Sequence, residues 1–527
     1  MGKNKSYIFK IIFIIVFAIV TCCSYSMQAL ALNSQDKQIK TEVTKLSSEE
    51  NNSNGNEENL SGGGQENSDN QANNLPVKYT ADVQEFSEEY KKWLELSDEE
   101  KENAVQPSPY YTSYYPLSSE KNKLNESFSL ARRAFNAVAL SADSTYDLRD
   151  HIDITVKNQL DTQTCWTFPL ISEVETNISL TRSYTSPIFS IRHMEYGTAK
   201  TFLDGVNPDG HNREVGSGGN GYIGMSYLVS GRGPVLESDM PFVNSEALIN
   251  LAEINKQAGQ HVENYIRFPT VLKEISGGVT TYKDGDGNVL SDEDVLNIRN
   301  QIKEHIVVYG GVSANTNSSQ TQYFNNVSPI LATAYYCDDP SITPDHLITI
   351  VGWDDNYSKE NFNAAHRPSK DGAWLVLNSY GTGFNGGYYY ISYEDVMVGR
   401  DNTGTVLVSD RDYKNAYQYD VLGSNVHVGL NGNDVPLTEV YAANVFTRKD
   451  SSAEYLSEVG VHSIGNTTVD VYVNPTGALS LTGATQIATG LVLQEEYRTI
   501  KTTNPITLTS SQFAVIVKYK STDGSQA

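Results

Sequence analysis

Cysteine is scarce, with four residues in a chain of 527. That count excludes a disulfide scaffold, which crowds many bridges into a short chain. Basic residues are also few: 39 Lys plus Arg stand against 64 Asp plus Glu, for a net charge of −25. A basic footprint for phosphates is therefore missing, which argues against nucleic acid as a partner. Apolar residues make up only 39% of the chain, too few for a polytopic membrane protein. Neither a Gly-rich phosphate loop nor a His/Cys zinc spacing occurs, so no cofactor and no metal is expected. Tyrosine, by contrast, is abundant at 33 residues against 16 Phe, as in β-rich extracellular domains with half-buried rings. At roughly 100–200 residues per domain, the length allows about two to four domains.

The N-terminus carries an address. Lys3, Lys5 and Lys10 flank the apolar run Ile11 to Val20, and Ala29-Leu30-Ala31 supplies small residues for cleavage. This is the three-part pattern of a secretory signal peptide over residues 1–31. The apolar run falls short of the ~20 residues a spanning helix needs, so no stable membrane span is expected once the signal is removed. Cys22 loosely suggests a lipoprotein signal, but Thr21 before it fits poorly. Cleavage after Ala31 removes Cys22 and Cys23, leaving Cys165 and Cys337 in an exported, extracellular or cell-surface protein. These two could pair, or one could be kept as a free thiol.

Residues 32–77 are rich in Asn, Glu, Ser, Gln and Gly, with Asn51-Asn52-Ser53-Asn54-Gly55-Asn56 and Gly62-Gly63-Gly64 as examples. Such a segment cannot bury enough surface to offset its ordering entropy and is expected to be a disordered acidic spacer. Much of the negative charge lies ahead of residue 105, so it is a property of the leader. Residues 78–143 carry helical signals. Tyr90, Trp93, Leu94 and Leu96 share a helix side, Ser97 and Glu100 form a capping box, and a second helix is expected over 117–139. This segment reads either as a pro-segment lying over a catalytic domain or as a stalk. Residues 144–408 mix helices and strands. Residues 409–527 alternate with period two, as in Val469, Val471, Val473 and then Phe513, Val515, Val517, Tyr519. The last stretch is an all-β, sandwich-like domain, and the short tail after its final strand leaves room for a missing closing strand.

The chemistry concentrates around Cys165. Phe168, Ile171, Val174 and Ile178 predict a helix with one buried face. Thr164 is a suitable N-cap, which places the thiol in the first turn, where the helix dipole favours a thiolate. Gln159 could aim an amide N–H at an oxyanion forming beside the sulfur. His346 opens the apolar strand Leu347-Ile348-Thr349-Ile350-Val351, and Asn378 ends the strand Trp374-Leu375-Val376-Leu377. An Asn oxygen there can fix the tautomer and aim of the imidazole.

In that order, Gln159, Cys165-Trp166, Asp345-His346 with Gly352-Trp353, and Trp374 with Asn378-Ser379 make the chain resemble a papain-like cysteine peptidase over about Thr145 to Val408. The resemblance implies an α+β, two-lobed catalytic domain with a helical lobe and a β-barrel lobe. It also implies Cys165 as nucleophile, His346 as general acid/base, Asn378 as its orienter and Gln159 as oxyanion-hole donor. Gly218-Gly219 resembles the family's substrate-binding segment, where bare backbone pairs with a polypeptide substrate. More narrowly, Tyr146-Asp147-Leu148-Arg149-Asp150, Gly233-Pro234-Val235 and the β tail resemble secreted bacterial members with a C-terminal lectin-like domain. By that analogy the tail attaches the enzyme to a surface glycan or protein.

Several positions depart from the family pattern. Thr162 stands in place of a disulfide cysteine, and Gln163 replaces a glycine beside the nucleophile, where its side chain is expected to narrow the substrate cleft. Pro169, in a helix starting near Thr164, is expected to cost about 3 kcal/mol. Tyr380 and Phe384 occupy shielding positions usually held by tryptophans. The competing reading is a catalytically inactive, surface-binding protein on the same fold; a cell-wall amidase fits less well because its Cys and His flanks differ. Cys337 reads as a partly buried strand cysteine. Asp284-Gly285-Asp286-Gly287-Asn288 lacks the Gly and Glu of a calcium loop, so a hairpin turn followed by a helix capped at Ser291 is expected.

Overall fold

The computed structural model describes residues 79–113, except 98–99 and 102–105, and residues 143–527, except 183, 327, 329–330, 424–427, 523 and 525–526. The expected signal peptide, the acidic spacer and the second leader helix lie outside the described residues. From the N-terminus, β1 (Tyr79–Val83) and α1 (Glu88–Glu95) precede a short β2 (Thr145–Asp147). Helices α2 (Thr167–Arg182) and α3 (Ile191–Thr198) follow, then the small hairpin β3 (Thr201–Phe202) and β4 (Gly205–Val206), then α4 (Gly221–Val229). Next come β5 (Gln260–Arg267), β6 (Leu272–Ser276), β7 (Val279–Lys283), β8 (Val289–Leu290) and α5 (Asp292–Tyr309). The N-terminal half ends with β9 (Val312–Thr316), β10 (Ala334–Tyr335), β11 (His346–Asp354), β12 (Ala373–Leu377), β13 (Tyr388–Ser392) and β14 (Thr403–Asp410). The C-terminal part contains β15 (Val428–Gly432), β16 (Val435–Pro436), β17 (Glu439–Thr447), β18 (Glu454–Asn474), β19 (Thr485–Leu508) and β20 (Gln512–Ser521).

Helix starts follow local capping chemistry. Ser190 and Asn220 cap α3 and α4 by accepting from the N–H groups of His193 and Ile223. Ser291 and Asp294 form a reciprocal capping box at α5. Helices α2, α3 and α4 bury Phe168, Leu170, Ile171, Val174, Met194 and Leu228 in one cluster, the core of the helical lobe. The β lobe is built on antiparallel β9, β11, β12 and β13, and a second core lies against its sheet around Ile348, Ile350, Trp353, Val376 and Ile391. The two lobes thus have separate cores, with α2 spanning the space between them.

The C-terminal part is β-rich, and its core holds Val459, Val461, Val469, Val471, Val473 and Leu493. Alternation at 469, 471 and 473 places each valine on the inner face, as period-two patterning requires. Strands β18 and β19 are long, 21 and 24 residues, and irregular registers at Leu456/Glu458 and Ile464/Thr467 interrupt their ladder. A bulge bends a strand and strengthens its twist. The sheet does not stop at the domain boundary. Tyr497 and Arg498 of β19 pair with Tyr265 and Asn264 of β5, so one 12-stranded sheet runs from the N-terminal half into the C-terminal part. Buried Arg267 reinforces the seam by pairing with Asp401 at 2.6 Å and with Glu495.

The leader touches both halves. β1 pairs antiparallel with β15, Tyr79 facing Gly432 and Val83 facing Val428. Ser87 caps α1, and Glu89 of that helix pairs with buried Arg400 at 2.8 Å. The extended stretch beyond gives the Thr112 carbonyl to the N–H groups of Thr270 (3.0 Å) and Gly285 (3.1 Å). The 284–288 turn is a hairpin turn, with the Asp284 carboxylate accepting from the N–H groups of Asp286 and Asn288. A side chain at Gly285 would meet the Tyr111 carbonyl at 2.4 Å, so glycine here permits close approach of the leader backbone.

Glu173 ties α2 to the β lobe. Its carboxyl accepts from the Ser313 N–H (3.0 Å) and the hydroxyls of Thr403 (3.0 Å) and Thr405 (3.2 Å). Burial pushes its pKa up from 4.5 to about 8, against those hydrogen bonds. A carboxyl whose folded pKa is raised binds more protons in the native state, so its stability contribution is full below the unfolded value and is lost as pH rises through the folded one. Relative to Glu173→Gln, the parent chain is therefore expected to lose stability between pH 4.5 and about 8, with a slope of at most about 1.4 kcal/mol per pH unit. Urea unfolding across that range measures it; a pH-independent difference would contradict the assignment.

Candidate active site

Cys165 sits just ahead of α2. The Thr167 N–H and hydroxyl both reach the Thr164 carbonyl, at 2.9 and 2.7 Å, and form a tight turn that leads into the helix. Thr164 does not act as the expected cap, since its hydroxyl bonds that of Thr162 at 2.6 Å. Because the helix starts at Thr167, Pro169 is its third residue. The N–H that proline lacks is then one of those with no intrahelical partner, and the penalty expected for Pro169 does not arise.

The sulfur lies beside the start of β11. It is 3.9 Å from the Asp345 carbonyl oxygen, and the N–H groups of Leu347, Trp166 and Cys165 act to stabilise its anion. Burial outweighs them. Cys165 is only 6% exposed, and its pKa is pushed up to about 12. The thiolate expected from the helix dipole is thus not favoured in this form of the chain. Cys337 is also a free cysteine, fully buried in the β-lobe core.

His346, 2% exposed, is the first residue of β11, and its Nε2 is 2.8 Å from Asn378 Oδ1. The Ser379 N–H also donates to that Oδ1 at 2.8 Å. An atom that receives a backbone N–H must be the oxygen of the amide, and an oxygen can only accept. The proton therefore sits on Nε2, and Nδ1 keeps its lone pair. Burial lowers the His346 pKa, opposed by the Asn378 bond, so the ring favours its neutral form. Tyr380 covers the pair with its ring centre 4.9 Å from that of His346, and Phe384 packs edge-on to Tyr380 at 5.5 Å. The two aromatics fill the shielding positions.

Gln159 belongs to the same network. Its backbone N–H donates to the Ser379 carbonyl at 2.7 Å, and its Oε1 accepts from the Ser379 hydroxyl at 2.7 Å. Its Nε2 donates one hydrogen to the Thr162 carbonyl at 3.1 Å, and an amide NH2 has a second to give. Gly219 packs on Trp166, where a side chain would meet the indole at 2.5 Å. Gln163 is exposed, and its backbone N–H donates to Glu246 Oε1 at 2.6 Å.

Two residues that sequence patterns did not single out hold this site together. Buried Arg213 donates to the carbonyls of Gly218 (3.2 Å) and Ser217 (2.6 Å), with its guanidinium 5.0 Å from the Trp166 ring centre. Glu246 accepts from the Gln163 N–H beside Cys165 and packs against Gly216, where a side chain would come within 2.7 Å of its carboxylate. Only the position of Arg213, shortly before Gly218-Gly219, could have signalled its role.

A free thiol before a helix, 3.9 Å from the carbonyl of the residue preceding an Asn-anchored imidazole, on a two-lobed fold, is the arrangement of a cysteine-type peptidase. The chain belongs to the papain family of cysteine proteases, whose family model matches residues 142–406. A model described as a lectin-like domain matches residues 416–527. Among solved structures, one similar to it comprises the cysteine protease and lectin-like domains of Cwp84, a surface layer associated protein of Clostridium difficile. The two are 25% identical with a TM-score of 0.63, and the match covers 84% of this chain and 85% of that one. A clostridial Cwp84 after propeptide cleavage shares the fold at 24% identity and a TM-score of 0.55, covering 72% of this chain and 85% of that one. No curated protein matches.

Arg213→Ala leaves two carbonyls of the glycine segment without their charged donor. In the active enzyme it is expected to raise KM for a peptide substrate about 10-fold while kcat falls less, with partial recovery in Arg213→Lys. Steady-state kinetics measure the split; an unchanged KM would contradict the role.

Proposed function

We propose that this chain is an exported peptidase in which Cys165, His346, Asn378 and Gln159 carry the reaction. The observation that carries the reading is the 2.8 Å bond from His346 Nε2 to Asn378 Oδ1, with the Cys165 sulfur 3.9 Å from the carbonyl of Asp345, the residue before His346. It leaves Nδ1 as the base that takes the thiol proton. The thiolate attacks the peptide carbonyl, and the oxyanion is met by the Cys165 N–H and the second Nε2 hydrogen of Gln159. The imidazolium then protonates the departing amine, the thioester forms, and water activated by the same ring releases the acid product. Gly218 and Gly219 offer bare backbone to the substrate chain, and Gln163 stands at the exposed edge beside the nucleophile.

Residues 78–143 act as a pro-segment in this reading. Its support is the docking of 79–113 on both halves of the molecule. The Asn220 amide at the glycine segment already donates to the leader carbonyls of Gln106 (3.0 Å) and Pro107 (3.3 Å). The lectin-like domain retains the enzyme at a cell surface through a glycan or a protein, by analogy with a relative described as surface layer associated. The signal-like N-terminus agrees with an extracellular address.

A biotinylated epoxide or vinyl sulfone is expected to label Cys165 after residues up to 143 are removed, and to fail with His346→Ala. In the intact chain, alkylation of Cys165 by iodoacetamide is expected only at alkaline pH, because burial holds the thiol near 12. After removal, its midpoint is expected to fall to about 3.5–7.5, the range of activated thiols. Folded, processed protein that takes no probe would return the chain to the inactive, surface-binding reading.

A further inference from the structure

A second cluster of ligand-type side chains lies far from the thiol, at the seam of the two halves. His261 and Glu263 project from β5, two residues apart and so on one face of the strand. Glu458 comes from β18 of the lectin-like part. One donor atom from each of the three lies within 4.8 Å of the others. His261 is 6% exposed and Glu263 1%. Neither is fully satisfied: among the described residues, His261 Nδ1 and Glu263 Oε2 have no hydrogen-bond partner. The nearest charged contact of His261 Nε2 is Glu263 Oε1 at 3.9 Å, beyond hydrogen-bond reach. A buried imidazole nitrogen and a buried carboxylate oxygen without partners are costly unless something else satisfies them.

We propose that His261, Glu263 and Glu458 bind one divalent zinc ion that links the catalytic half to the lectin-like half. One imidazole nitrogen and two carboxylates, with an open position for water, make a donor set that zinc accepts. Calcium and magnesium favour oxygen-only shells, so the histidine selects against them. Lys501 is the competitor already present. Its ammonium is 2.8 Å from Glu263 Oε1 and 3.3 Å from Glu458 Oε1, and so stands where a cation is wanted. The Lys501 side chain is 55% exposed and mounted on a flexible stem, so it can swing into solvent when the metal enters. Binding exchanges one mobile ammonium for a divalent ion held by both halves, without requiring proton or electron transfer.

The test uses the full chain carrying Cys165→Ala, which removes the active-site thiol as a competing ligand, after stripping with EDTA. Zinc chloride titrated by calorimetry is expected to bind one ion per chain. X-ray absorption is expected to show a nitrogen/oxygen shell with imidazole scattering and no sulfur. Adding His261→Ala or Glu458→Gln is expected to weaken binding by about 10-fold or more, whereas Lys501→Met is expected to tighten it. The lysine variant keeps the proposal falsifiable even where a buried-residue variant fails to fold. Absence of one-to-one binding, a sulfur-containing shell, calcium binding in preference to zinc, or an affinity untouched by Lys501→Met would overturn it.

Discussion

The rest of the site depends on one hydrogen bond, from His346 Nε2 to Asn378 Oδ1 at 2.8 Å. Its partners stand at the ends of two adjacent antiparallel strands, β11 and β12, which pair from Thr349/Leu377 onward. The strands fix the two backbones, and the Ser379 N–H fixes which way the amide faces. The ring then has one protonation pattern compatible with its surroundings, with Nε2 protonated and Nδ1 bare. Ser379 extends the same constraint to Gln159 through two further hydrogen bonds of 2.7 Å. His346, Asn378 and Gln159 are therefore parts of one continuous polar network, and a shift in one moves the others.

Buried charge is arranged around this network. Glu173 secures the catalytic helix to β9 and β14, Arg213 supports the glycine segment, and Arg267 joins β5 to Asp401 and Glu495. Removing one partner of such a group strands the other in a low-dielectric interior, at a cost of about 3–5 kcal/mol. These contacts specify geometry more than they add stability. The continuous sheet has a similar consequence: because β19 hydrogen-bonds to β5, the lectin-like part is an extension of the catalytic sheet. The same seam carries the open donors of His261 and Glu263, so the strand that joins the halves also holds the proposed zinc site.

Much of the candidate site was legible because its sequence signals are local. Cys165-Trp166, the strand opening at His346 and the strand closing at Asn378 each advertise themselves within a few residues. So did the Asp284–Asn288 turn and the Ser291 cap, since both are made by side chains bonding to nearby backbone. What was not legible depends on distant partners. Nothing near Arg213 reveals that it will lie buried under Trp166, and nothing near Glu246 reveals its bond to Gln163, 83 residues away. The β5–β19 and β1–β15 pairings join segments hundreds of residues apart, and period-two patterning is silent on which strands meet. The penalty expected for Pro169 was misplaced for a smaller reason: the turn at Thr164–Thr167 delays the helix start, a detail that sequence locates poorly.

The tautomer of His346 is the most direct measure of this account. In the intact chain carrying Cys165→Ala, with 15N-labelled histidine, long-range 1H–15N correlation spectra are expected to show Nε2 protonated and Nδ1 bare at neutral pH. That pattern is expected to be lost in the additional variant Asn378→Ala. A proton on Nδ1, or a tautomer indifferent to Asn378, would contradict the claim that this bond sets the base.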